Sequence, residues 1–233
     1  FIDSDNNLRF INSDGSGEEV INADGDWGSI AISPDGTKLA ATTVWSDSTI
    51  YFLDLENGTV SPFKLYHPTT SSDGERQHIT EYADALTWDG NSSYIVYDSF
   101  QSMPGAAFSN GSSAEGEYIE FWDIKAMSPW DGEIYSWSAA LPPGYHMANP
   151  SFGTEIIDGK PNDCRFVYEL VDENEPPRNL VISSDRCAGV GGVIVDFPHD
   201  MFSFPRFMHN DKEIVLELWT DRGGNETDLA WLF

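Results

Sequence analysis

Residues 30–40 read Ile-Ala-Ile-Ser-Pro-Asp-Gly-Thr-Lys-Leu-Ala. Two short apolar runs flank a four-residue turn, the pattern of a strand, a tight turn and a returning strand. Each turn residue has a physical reason to be there. Proline fixes φ, aspartate accepts backbone hydrogen bonds, and glycine supplies positive φ. Weaker copies of the unit begin near Ala85, Asn149 and Phe204, which gives a period of roughly 55–60 residues. A period of that length restricts the chain to propellers or stacked arrays of small repeated units.

Strand signals within each unit are period-two alternation and β-branched or aromatic runs between Asp/Asn/Gly turns. The first complete unit covers about 24–67, with strands at 29–32, 38–44, 49–55 and 60–65. The second covers about 82–140, with strands at 85–88, 94–97, 118–124 and 133–137 and a Gly/Ser/Ala-rich loop at 101–116. The third covers about 145–197 and holds a hairpin between the two cysteines. The fourth covers about 202–233 and lacks a fourth strand. Residues 1–22 add two strands of a further or closing blade. Four antiparallel strands joined by short turns form a propeller blade. The expected fold is therefore all-β, a β-propeller of four-stranded antiparallel blades with at least four blades. Either an N-terminal strand completes the last unit, or the chain is a fragment of a larger propeller. No run of 18 apolar residues is present, so no segment is expected to insert into a membrane as a helix.

Ser33-Pro34-Asp35-Gly36 and Thr220-Asp221-Arg222-Gly223 are the best-formed turns of this kind. Ser184-Asp185-Arg186 is a partial copy, and Asp89-Gly90-Asn91 and Asn210-Asp211-Lys212 are degraded ones. On these residues the chain resembles the TolB-like β-propeller repeats over most of its length. The resemblance specifies a blade and not an activity. It implies a periplasmic scaffold, a module of a surface or secreted protein, or the gating propeller of a prolyl-oligopeptidase-type peptidase. No Gly-x-Ser-x-Gly nucleophile elbow occurs, so a peptidase reading puts the catalytic domain outside this chain.

Thirty-nine acidic residues against 12 basic ones give a formal net charge of −27. Such a field repels nucleic acid and anionic membranes and suits cations or basic partners. It also keeps a surface solvated. Cys164 and Cys187 flank the hairpin of the third unit and come close if it forms. They are either a disulfide or two buried thiols, and a disulfide implies an oxidising, extracytoplasmic setting: periplasmic, secreted or cell-surface. Asn57, Asn91, Asn110 and Asn225 stand in glycosylation-type sequons, all in turns where Asn, Gly and Ser are expected anyway.

Connections that precede inner strands gather at one mouth of a propeller. Asp26, Trp27, Glu81, Tyr82, Tyr145, His146, His199 and Asp200 lie in such connections and form the expected ligand-binding rim. The histidines have no metal-type spacing, and no catalytic residue is assigned. Residues 3–7 and 22–26 carry oxygen ligands at alternate positions, which suits calcium, although neither has the downstream bidentate glutamate. No other cofactor is implied. Trp88, Trp122, Trp219 and Trp231 lie in expected strands and read as core. Trp27, Trp45 and Trp130 read as surface candidates for stacking. The reading is a non-catalytic propeller module that binds a protein or peptide. The alternative is the propeller of a larger hydrolase.

Overall fold

The computed structural model describes the chain outside residues 24, 45–47, 66–68, 71–75, 105–117, 137–141, 143, 154–155, 158–159, 162–163, 175–177, 186, 198–200, 209–212, 220–226 and 233. Every described element is a β-strand, bridge or turn. A two-stranded ribbon, β1 (Leu8–Phe10) and β2 (Glu19–Asn22), comes first. The first sheet is β3 (Trp27–Ile32), β4 (Lys38–Thr43), β5 (Thr49–Asp54) and β6 (Val60–Lys64), in that spatial order. The second holds β7 (Thr69–Thr70), β8 (Arg76–Trp88), β9 (Ile95–Pro104), β10 (Tyr118–Met127) and β11 (Ile134–Ser136). The third is β12 (Tyr145–Phe152), β15 (Arg165–Asp172), β16 (Arg178–Asp185) and β17 (Val190–Phe197). A small hairpin, β13 (Ile156–Ile157) with β14 (Lys160–Pro161), is inserted after β12. The fourth is β18 (Met201–Phe207), β19 (Ile214–Trp219) and β20 (Thr227–Leu232).

All pairings within these sheets are antiparallel, and they join chain neighbours except that β12 pairs with β15 across the inserted hairpin. The first long strand of each sheet neighbours the next: β3 meets β8, β8 meets β12, and β12 meets β18. The N-terminal strands do not complete the fourth sheet. They pair with each other, and Leu8 packs with Trp27, Leu39, Ala41 and Leu53 of the first sheet.

Each inner sheet is buried on both faces, which explains why its middle strands are apolar runs rather than alternating ones. Ile95, Val96 and Tyr97 are all fully buried. Ile95 and Tyr97 pack with Ala40, Ile50 and Phe52 of the first sheet. Val96 points the other way, into a cluster with Ile124, Met147, Phe152 and Phe166. Val167 and Val181 then meet Leu216 of the fourth sheet. Trp88 is a wedge between the first two sheets: its ring lies edge-on to Phe52 at 5.8 Å, and its Nε1–H donates to the Ala31 carbonyl at 2.9 Å.

The Ser-Pro-Asp-Gly turn forms as its residues dictate. Gly36 takes φ +72°, and Asp35 Oδ1 accepts the Ser33 hydroxyl and the Thr37 N–H at 2.7 and 3.0 Å. In the degraded copy Asp89 stands where Ser33 stands. Its N–H donates to the Tyr94 carbonyl as that of Ser33 donates to the Lys38 carbonyl, and its Oδ1 accepts the N–H groups of Ser93 and Tyr94. The two turns also touch, the Asp35 N–H donating to Ser92 Oγ at 3.1 Å.

A second repeat is structural. The first long strand of every sheet carries a bulge at the matching place, between Trp27 and Ile30, Ala83 and Leu86, Ala148 and Ser151, and Ser203 and Arg206. A bulge leaves N–H groups without a ladder partner and re-aims the side chains around it.

Candidate functional site

Three of those bulges converge on one cavity of about 540 Å³ between the second and third sheets. Asp84 from β8, Asn149 from β12 and Phe204 from β18 are the bulged residues that reach it. Asn149 and Phe204 hold φ of 53° and 56°, uncommon for residues with a side chain. The walls are Phe100, Phe121 and Trp122 from the second sheet and His146, Ala148 and Val171 from the third. Among the described residues, five carboxylic acids line it, Asp84, Asp98, Glu120, Glu169 and Glu173, and no lysine or arginine does.

The floor is Asp98, Asn149 and Glu169, each no more than 9% exposed. Asp98 stands opposite the β8 bulge and satisfies it. Its Oδ1 accepts the N–H groups of Ala85 and Asp84 at 2.6 and 3.1 Å, and its Oδ2 accepts that of Asn149 at 3.2 Å. The Asn149 side chain continues the chain of contacts, its Nδ2 donating to Glu169 Oε2 at 2.7 Å, while Asn179 Nδ2 donates to Oε1 at 3.0 Å. Burial pushes Asp98 up to about 6 despite these donors, with the Asp84 charge adding to it. Burial likewise pushes Glu169 up to about 7, reinforced by Asp98. Asp84 is exposed at the cavity mouth, and partial desolvation there shifts it upward as well.

His146 is fixed by its neighbours. The Trp122 N–H donates to Nδ1 at 3.2 Å, so in the neutral ring Nε2 carries the proton. Nε2 is buried and lies 3.2 Å from Glu173 Oε2, but out of line for a hydrogen bond. Behind the wall, Tyr82 stacks on Phe100 at 5.1 Å and meets Trp122 edge-on at 5.3 Å.

No protein-family model and no curated protein sequence matches the chain. Solved structures match in shape. Prolyl endopeptidases align over 97% of this chain and 30% of their own, at 13% identity and a TM-score of 0.54. An oligogalacturonate lyase in complex with manganese aligns over 95% of this chain and 58% of its own, at 10% identity and 0.53. The fold is a β-propeller. TolB from Acinetobacter baumannii also aligns, over 97% of this chain and 62% of its own, at 14% identity and 0.39. The chain thus spans less than two thirds of each of these proteins, and its likeness to the prolyl endopeptidases and the lyase is one of fold. The four sheets are its blades.

Of the rim expected from sequence, the propeller brings His146 into the cavity and Tyr82 against its aromatic wall. Tyr145 is half-buried at the start of β12, and Asp26 is exposed before β3. Trp27 is 7% exposed, its ring edge-on to Tyr51 and its Nε1–H on Asn22 Oδ1. It packs inside the first blade because the N-terminal ribbon covers it with Leu8. Glu81 lies in β8, but its side chain falls outside the described residues, as do His199 and Asp200. Trp130 is 67% exposed, with Lys38 Nζ 4.2 Å above its ring.

The floor residues escaped the sequence reading. A signal was present: Asp98 and Glu169 each sit inside an apolar strand run, where an acid needs a reason. At the calcium-type segment of residues 3–7, the Asp3 carboxylate accepts the N–H groups of Asp5 and Asn7 and pairs with Arg9. Among the described residues, the one group of three ligating side chains within 4.8 Å is Cys164, Asp185 and Cys187. Its two sulfurs are joined in a disulfide that closes the β15–β16 hairpin, with the Cα atoms 5.2 Å apart.

Proposed function

We propose that this propeller is a non-catalytic binding module that takes a protein or peptide through a basic residue seated in the cleft between its second and third blades. The observation that carries the reading is the lining: among the described residues it has five carboxylic acids, four aromatic rings and no lysine or arginine. Carboxylates accept from an ammonium or guanidinium, and the rings of Phe100, Phe121, Trp122 and Phe204 offer apolar and cation–π contact to the stem. The net charge of −27 steers a basic partner toward the molecule. The disulfide supports a periplasmic, secreted or cell-surface setting.

Fluorescence titration of the Trp122 region with capped basic, neutral and acidic peptides tests this. Basic peptides should bind, and Asp84→Asn with Glu120→Gln should weaken them about tenfold without unfolding the domain. Binding that ignores peptide charge and survives both substitutions overturns it. A second reading, the propeller of a larger hydrolase, is supported by the match to prolyl endopeptidases, of which this chain spans 30%. Peptidase activity of the full-length gene product would favour it.

A further inference from the structure

Asp98 and Glu169 are 2% and 4% exposed, yet among the described residues no cation pairs with either. Every donor to them is a neutral amide: the N–H groups of Ala85, Asp84 and Asn149 for Asp98, and the side chains of Asn149 and Asn179 for Glu169. The other charged and titratable groups among the described residues that line the cavity are Asp84 on β8, Glu120 on β10, His146 on β12 and Glu173 after β15. Three of these four are acids. On β18, Arg206 gives its guanidinium to the backbone carbonyls of Asn149, Pro150 and Pro205. Two adjacent buried carboxyls without a counter-charge are costly when both are ionised, and such a site resolves the cost by holding a proton or by accepting a cation.

We propose that a cation on the bound ligand takes the place of a proton held by the Asp98–Glu169 pair, so that uptake at this cleft releases protons; the inference rests on the basic-residue reading above. Asn149 makes the two acids one unit, because its backbone N–H is on Asp98 and its side-chain N–H is on Glu169. The incoming group is an ammonium or guanidinium rather than a chelated metal. Among the described residues, no group of three acidic, imidazole or thiol ligand atoms mutually within 4.8 Å includes Asp98 or Glu169, whereas a nitrogen cation donates hydrogen bonds and needs no closed ligand set. The volume of about 540 Å³ admits a lysine or arginine side chain with flanking backbone. The upward shifts of both acids, to about 6 and about 7, put the held proton in the neutral range. The balance is simple: the ligand arrives with its charge, the carboxyl loses H⁺ to buffer, and no bond other than O–H breaks.

The test is calorimetric titration of capped Gly-Lys-Gly and Gly-Arg-Gly, with capped Gly-Gln-Gly as control, in pairs of buffers of different ionisation enthalpy. Near neutral pH, protons should be released on binding, and release should vanish about two pH units higher. Affinity should weaken up to about tenfold per pH unit on acidification through that range. Glu169→Gln and Asp98→Asn should each flatten this dependence. Binding with no proton release and a flat pH profile overturns the exchange and leaves the basic-residue reading standing. Absence of binding by any peptide at any pH overturns both. Carbon NMR titration of the free protein is independent of ligand, and two carboxyls that both titrate in the ordinary acidic range overturn the exchange alone.

Discussion

The backbone N–H of Asn149, in the third blade, donates to Asp98 Oδ2 in the second at 3.2 Å. Through this contact one carboxyl serves the bulges of two blades, since its other oxygen already accepts from Asp84 and Ala85. Bulges recur in all four blades, but this acidic keystone occurs once among the described residues. It fixes the floor of the cleft by holding Asn149, which in turn holds Glu169.

Asp98→Ala should therefore lower unfolding free energy by about 3 kcal/mol in urea melts. Three backbone donors lose their acceptor, and each buried donor left unsatisfied costs about 1–3 kcal/mol. Relief of a buried charge offsets part of the sum. A loss below about 1 kcal/mol would mean that water replaces the carboxyl.

Stability should rise on moderate acidification. Asp98 and Glu169 have folded-state pKa values of about 6 and about 7, above their unfolded values. The folded state then binds more protons than the unfolded one across that interval. The contribution is fully present below about pH 4 and is lost as pH rises through 6 to 7. Asp3, lowered to about 2 first by the Asn7 N–H and then by Arg9, works in the opposite sense, together with Asp14, Asp35, Asp131 and Asp172. Their contribution is present above about pH 4 and is lost on acidification below it. Thermal melts should place the maximum midpoint near pH 4 to 5. A midpoint that climbs steadily from pH 5 to 8 would contradict the upward shifts.

Reduction of Cys164–Cys187 should cost about 3 kcal/mol in the chain-entropy model, since the bond closes a loop with a sequence separation of 23. Denaturant unfolding with and without reductant measures this. A Cys164→Ser, Cys187→Ser variant as stable as the parent would show that the hairpin register alone, Arg165 opposite Asp185, holds the third blade.

Sodium chloride should raise the melting midpoint. Thirty-nine acidic against 12 basic residues give a repulsive surface, and ions screen charges separated by more than about 10 Å at ~0.1 M. A flat or falling midpoint with salt would show that this repulsion does not limit stability.

The blades were legible in the sequence because their signals are local. A Ser-Pro-Asp-Gly turn satisfies its own backbone within five residues, as Ser33, Asp35 and Thr37 do. Pairing between chain neighbours follows from such turns, and the β15–β16 register that brings Cys164 near Cys187 is one hairpin's consequence. The binding face was less legible. Trp27 reads as a surface aromatic until the N-terminal ribbon lays Leu8 against it. Asp98 and Glu169 read as single acids in two strands 71 positions apart, and nothing nearby in either strand marks a partner.

Turn chemistry and two-residue periodicity, both set by neighbours in the chain, determined the strands, their antiparallel order and the blade as the unit. Only the tertiary structure decided that the second and third blades meet face to face with their bulges level, so that Asp84, Asp98, Asn149 and Glu169 share one floor. The physical reason is that a buried acid's character is set by what surrounds it in space. Its donors and its neighbouring acid come from separate strands, and they acquire meaning when packing removes the water between them.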